Sequence, residues 1–82
     1  MKIRIINFNQ DLSLVDFQVD YPDGKWERFR EVKLIKRPNG KKWVNIWHIK
    51  RDDKYLPRYE RNPSLSAIMT EVLHILEKEY NV

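Results

Sequence analysis

The apolar positions of this chain alternate for most of its length and then change period once. From Leu14 onward, Val15, Phe17, Val19 and Tyr21 fall on one side of an extended chain, with Asp16, Gln18 and Asp20 on the other. A period of two marks a half-buried strand. Ile3–Phe8 reads as a strand before it, and the polar "NQD" of residues 9–11 as the turn between them. In "YPDG" (21–24), Pro22 pre-sets φ and Gly24 accepts a positive φ, so the chain reverses there. "WERFREVKLIKR" (26–37) predicts a third strand. Its apolar phase shifts between Phe29 and Val32, so a bulge or bend is expected near Arg30–Glu31. "RPNGK" gives the next reversal, because Asn39 and Gly40 both tolerate the positive φ of a primed hairpin turn. Trp43–Ile49 predicts a fourth strand, with Val44, Ile46 and His48 on one face and Trp43, Asn45, Trp47 and Ile49 on the other. The stretch from 50 to 63 is polar, with a short edge strand at most over Tyr55–Tyr59.

Beyond Pro63 the period becomes helical. Leu65, Ile68, Met69, Val72, Leu73, Ile75, Leu76 and Tyr80 recur at three- and four-residue spacing, and Asn62 or Ser64 is placed to cap the start. The expected elements are strands over residues 2–8, 13–21, 26–37 and 42–50 and a helix over 63–80, all in a single domain spanning 1–82. This is an α+β fold: an antiparallel four- to five-stranded β-meander with one C-terminal amphipathic α-helix packed on one face. One helix covers one sheet face. The other face is left to water, a second subunit or a ligand, and its residues decide the function.

Charge sharpens that question. The net charge is +4, but residues 25–61 carry thirteen Lys and Arg against five acids, a net of +8, while the rest of the chain stands at −4. Such polarity attracts anions to one part of the molecule and is the usual electrostatic footprint for nucleic acid. The same lysines also serve to blunt sheet edges and keep a small β-protein in solution. The polar side of the helix, with Glu71, His74, Glu77, Lys78 and Glu79, is acidic toward its end. A helix that reads a major groove carries Arg, Lys, Asn or Gln there, so this one is expected to cover the core.

The candidate anion surface is therefore the sheet and its loops. Arg28, Arg30, Lys33, Lys36 and Arg37 lie on the third strand and its turn. Lys41, Lys42, Lys50 and Arg51 flank Trp43 and Trp47, and Lys54 and Arg58 continue the run. Cations on neighbouring strands can follow a phosphate backbone. Two indoles on one strand face can stack on bases or cover a second copy of the sheet, and the sequence leaves both uses open.

Chemistry other than binding finds little support. Without cysteine there is no disulfide, no thiolate nucleophile and no Cys-based metal site. No pairing of His48 or His74 with carboxylates stands out as a metal-ligand set, and "DD" at 52–53 reads as a turn. No phosphate-binding glycine loop, nucleophile elbow or paired-carboxylate pattern occurs. No enzyme activity, cofactor, metal or small-molecule substrate is expected. The opening "MKIRIINFNQ" has no signal-peptide core, and nowhere do about 18 apolar residues run together, so a cytoplasmic protein without a membrane partner is expected.

The layout resembles the SpoVG family, the stage V sporulation protein G type of small bacterial regulators. The resemblance spans nearly the whole chain. It lies in a first strand close to Met1, the alternating Val15–Tyr21, the run "FREVKLIKR" leading into Asn39–Gly40, and the apolar Trp43–Ile46. It continues through Lys50-Arg51-Asp52-Asp53 and a helix ending in Glu79-Tyr80. The family's Met-Pro after the apolar strand is replaced here by Ile46-Trp47, and its Ala-His-Pro stretch corresponds loosely to "RYERNPS". The resemblance implies nucleic-acid binding, a role in transcription regulation and dimerisation through the sheet. A looser similarity, carried by "VNIWHIKRDDKYLPRYERNPSLS", is to single-stranded-DNA-binding coactivator domains. The expected protein is thus a nucleic-acid-binding regulator of bacterial or phage type, acting on DNA or RNA as a homodimer. The alternative is a protein-interaction module, such as a phage or mobile-element inhibitor that docks on an acidic partner.

Overall fold

A computed structural model of the chain describes residues 1–46 and 65–82 in full, and residues 48–51 and 54–57 by their backbone. Four antiparallel strands, β1 (Lys2–Asn9), β2 (Leu14–Asp20), β3 (Trp26–Lys36) and β4 (Lys42–Val44), form one sheet in chain order. β5 (His48–Arg51) and β6 (Lys54–Pro57) pair as a separate hairpin beside β3. Helix α1 (Leu65–Tyr80) closes the domain and packs across the sheet from β4 to β1. The expected α+β fold, an open antiparallel sheet with one C-terminal helix, is what the chain adopts.

The alternation of β2 organises the core. Val15, Phe17 and Val19 are fully buried, and on the flanking strands Ile3, Ile5, Phe8, Phe29, Val32 and Leu34 join them. Leu65, Ile68, Val72 and Leu76 of α1 close over this layer with Val44 and Ile46. Phe17 and Phe29 are partners across the ladder, and their rings stack with centroids 4.7 Å apart. Met69, Leu73 and Tyr80 lie at the margin of this core. Glu71, His74, Glu77, Lys78 and Glu79 all face water, as a core-covering helix requires.

The phase shift in β3 is a bulge. Phe17 pairs with Phe29 and Val15 with Val32, so Arg30 and Glu31 together oppose Asp16. Glu31 takes a φ of 51°, and its N–H donates to Asp16 Oδ1 at 2.6 Å. β1 bulges at the same level, where Ile5 pairs with Phe17 and Asn7 with Asp16, leaving Ile6 as the extra residue. Each bulge restores the inward phase beyond it, which returns Phe8 and Val32 to the helix side.

Both proline-containing turns are the same object. Tyr21 N–H donates to Lys25 O and Gly24 N–H to Tyr21 O; Arg37 N–H donates to Lys41 O and Gly40 N–H to Arg37 O. Asp23 and Asn39 each accept, through Oδ1, the N–H two residues on. Gly24 and Gly40 have φ of 87° and 88°. This is a type I turn followed by a left-handed glycine, and not the primed two-residue turn expected at Asn39–Gly40. Proline is the reason: a two-residue turn at Asn39–Gly40 would need Pro38 to donate an N–H to its partner Lys41, which proline lacks. The closing pair therefore moves out to Arg37–Lys41, Pro38 takes the first central position at a φ of about −65°, and the positive φ falls on Gly40.

The fourth strand is shorter than expected. β4 ends at Val44, where Asn45 N–H donates to Lys33 O and Ile46 N–H turns back to Val44 O. Ile46 nonetheless enters the core with 0% exposure, so the expected burial of Val44 and Ile46 holds while the continuous strand over 42–50 does not. The edge strand expected within Tyr55–Tyr59 overlaps β6 at Tyr55–Pro57. The candidate caps Asn62 and Ser64 and the turn at 52–53 lie outside the described residues.

Candidate nucleic-acid interface

With the helix on one side, the pleat dictates what the opposite side carries. Residues that alternate with the core positions on each strand are brought level by the register. Lys2, Asp20 and Trp26 stand abreast, as do Arg4, Gln18 and Arg28, then Leu14 and Lys33, and finally Ile35 and Trp43. This face runs the length of β3, roughly 30 Å between Trp26 and the rung of Trp43, exposed at its Trp26 end and half-buried at Ile35 and Trp43.

Of the residues expected to meet an anion, the structure gathers only part on this face. Arg28 and Lys33 are on it and exposed. Arg37 lies at the end of β3 with its guanidinium 5.2 Å from the centroid of the half-buried Trp43 ring. Arg30 is exposed at the bulge and Lys41 in the turn. Lys36 and Lys42 form a rung of the opposite phase. Lys42 Nζ lies 3.2 Å from Glu77 Oε2 and donates to Val82 O, tying β4 to the helix end. Lys36 lines a concavity with Phe8, Tyr80 and Val82 on that same side. These two lysines belong to the helix-covered side of the sheet. Trp47 and Arg58 lie outside the described residues, as do the side chains of Lys50, Arg51 and Lys54. Since β4 stops at Val44, no continuous strand carries Trp43 and Trp47 on a shared face.

Three groups on the open face were not singled out by charge or aromatic pattern. Trp26 is 62% exposed, with the Arg28 guanidinium 5.9 Å from its ring centroid. Arg4 Nε lies 3.5 Å from Asp20 Oδ2. Gln18, only 8% exposed, accepts from Arg28 Nη2 and donates to Asp20 Oδ1, both at 2.9 Å. A signal for Trp26 was present in the sequence: it stands three residues before Phe29, out of phase with the core side of β3.

Among the described residues no cluster of three or more His, Asp or Glu is placed to hold a metal ion, and no helix is long and apolar enough to cross a membrane. No family model matches the chain, and neither a curated protein nor a solved structure matches it.

Proposed function

We propose that the chain is a small nucleic-acid-binding protein of the cytoplasm that acts by binding and not by catalysis, using the sheet face opposite the helix. The observation that carries this reading is the make-up of that face: Lys2, Arg4, Arg28, Lys33 and Arg37 share it with two indoles, each with a guanidinium over its ring. Cations along strands engage phosphates without regard to sequence, and indoles with guanidinium neighbours add surface for bases. The acidic outer side of α1 would face away from a polyanion. The resemblance in layout to the SpoVG family points to the same class of ligand.

The test is a salt titration of a fluorescent oligonucleotide. Affinity is expected to fall steeply from low to physiological salt. Lys33→Ala with Arg37→Ala is expected to lower the slope of log K against log salt by about 0.7–0.9 for each phosphate no longer neutralised. Binding indifferent both to salt and to these substitutions overturns the reading. A second use of the face, as a seat for a second copy of the chain or for an acidic protein, draws support from Ile35 and Trp43, half-buried partners on one rung. Sedimentation of a stable dimer with no oligonucleotide binding would favour it.

A further inference from the structure

The rungs nearest the Tyr21–Lys25 turn hold a cluster that lies largely outside the basic segment. Arg4, Gln18 and Arg28 are direct neighbours across β1, β2 and β3, and Lys2, Asp20 and Trp26 form the next rung on the same face. Gln18 is buried although the helix does not cover it, because its neighbours close over it. Both ends of its amide are engaged, the oxygen by Arg28 and the nitrogen by Asp20, and Asp20 in turn pairs with Arg4. A free arginine samples many rotamers, and ordering it on a ligand costs affinity. Here the Arg28 guanidinium is fixed in advance by a hydrogen bond to the amide and that of Arg4 is drawn to the other side by the Asp20 carboxylate, across two strand spacings of about 4.8 Å each. The bonds described engage one nitrogen on each fork, Nη2 of Arg28 and Nε of Arg4, and a guanidinium has five N–H donors in all.

Beside this pair stands Trp26, the most exposed large apolar side chain among the described residues. An exposed indole next to a hydrogen-bonded guanidinium suits a flat ring joined to a phosphate through a sugar. The three cations, Lys2, Arg4 and Arg28, outnumber the single carboxylate, Asp20, on these two rungs, so an anionic occupant is favoured. A base inside a duplex offers neither of its faces to a side chain, whereas an unpaired one does.

We propose that Lys2, Arg4, Gln18, Asp20, Trp26 and Arg28 form a subsite for one nucleotide unit with an unpaired base. The base lies against Trp26 and its phosphate against Arg28 and Arg4, with Gln18 the residue that positions both arginines. This rests on the reading of the open face as a nucleic-acid surface, and adds which end of it reads a base.

The experiment titrates a short oligothymidylate and a hairpin duplex against the full chain at low salt, following tryptophan emission. The single strand is expected to bind more tightly and to quench emission. Trp26→Ala is expected to remove most of the quenching and about tenfold in affinity, while leaving the salt slope unchanged. Gln18→Met, which keeps the stem and loses both hydrogen bonds, should lower single-strand affinity several-fold and leave duplex binding alone. Should that variant melt before it can be titrated, Gln18→Thr carries the same test, since it suits a strand, adds no charge and is too short to make either hydrogen bond. Salt-dependent binding that ignores Trp26→Ala, or that is as tight for the duplex, overturns the subsite and leaves the wider reading standing. A folded Gln18 variant that binds like the parent removes its positioning role. Failure of both nucleic acids to bind overturns the subsite and the wider reading together.

Discussion

The two ends of β3 are built from the same parts and put to different use. Each begins or ends in an X-Pro-Asx-Gly-Lys turn with matching hydrogen bonds, and each has an indole with an arginine over it. At the Tyr21–Lys25 end the indole, Trp26, is 62% exposed and sits beside an ordered network on three strands. At the Arg37–Lys41 end the indole, Trp43, is half-buried across from Ile35, and the adjacent Lys42 is held by Glu77 on the helix side. The turns therefore serve as scaffold at both ends, and the difference lies in what the neighbouring strands bring. Next to Trp26 stand two long strands with polar outer positions. Next to Trp43 the sheet stops after the three residues of β4.

The comparison can be strained hardest from the middle, where both ends share one core. Phe29→Ala removes a ring stacked on Phe17 and is expected to cost about 3–5 kcal/mol, enough to lower the melting temperature by well over 10 °C and loosen both ends at once. A melt that left one end's tryptophan emission native would show the ends to be independent. Asp16→Ala removes the acceptor that holds Glu31 N–H at the bulge; a loss of about 1–2 kcal/mol in denaturant unfolding is expected. Gly24→Ala and Gly40→Ala should each cost about 1–2 kcal/mol, because a Cβ there meets nothing within 4 Å and the penalty is left-handed backbone strain alone. Near-equal values in the same urea titration confirm that the turns are equivalent; a gap of more than about 1 kcal/mol breaks the equivalence. The smallest effect separates the indoles. Trp26→Ala is expected within about 0.5 kcal/mol of the parent, and Trp43→Ala to cost measurably more, since only the second is packed.

How much of this could be read from the sequence follows from which physical signal was local. The alternation through Val15, Phe17 and Val19 and the helical spacing from Leu65 to Tyr80 are local, and both elements stand where those patterns put them. The bulge was legible as a missed beat between Phe29 and Val32. Its twin at Ile6 was harder to see, because Ile5, Ile6 and Phe8 still look like an ordinary apolar run. The interruption after Val44 was hidden for a similar reason: Ile46 keeps the strand's period while the backbone leaves the sheet. For the candidate site, cation counting found Arg28, Lys33 and Arg37, but it also gathered Lys36 and Lys42, whose phase places them toward the helix. The alternation puts Gln18 on the outer side of β2, but nothing local joins it or Arg4 to Arg28, since only the register of β1 on β2 and of β2 on β3 makes them neighbours.

The extra residue at Ile6 also bears on how copies of the chain behave when crowded. β1 is an edge of the four-stranded sheet, and a straight edge of eight residues would offer a continuous row of amide and carbonyl groups to any similar strand. Ile6 breaks that row near its centre and bends the strand. An incoming strand would find two short stretches out of step with each other, and Lys2 and Arg4 of two copies would meet with like charge across the first. The irregularity that keeps Phe8 in the core thus also makes edge-to-edge pairing between copies less favourable.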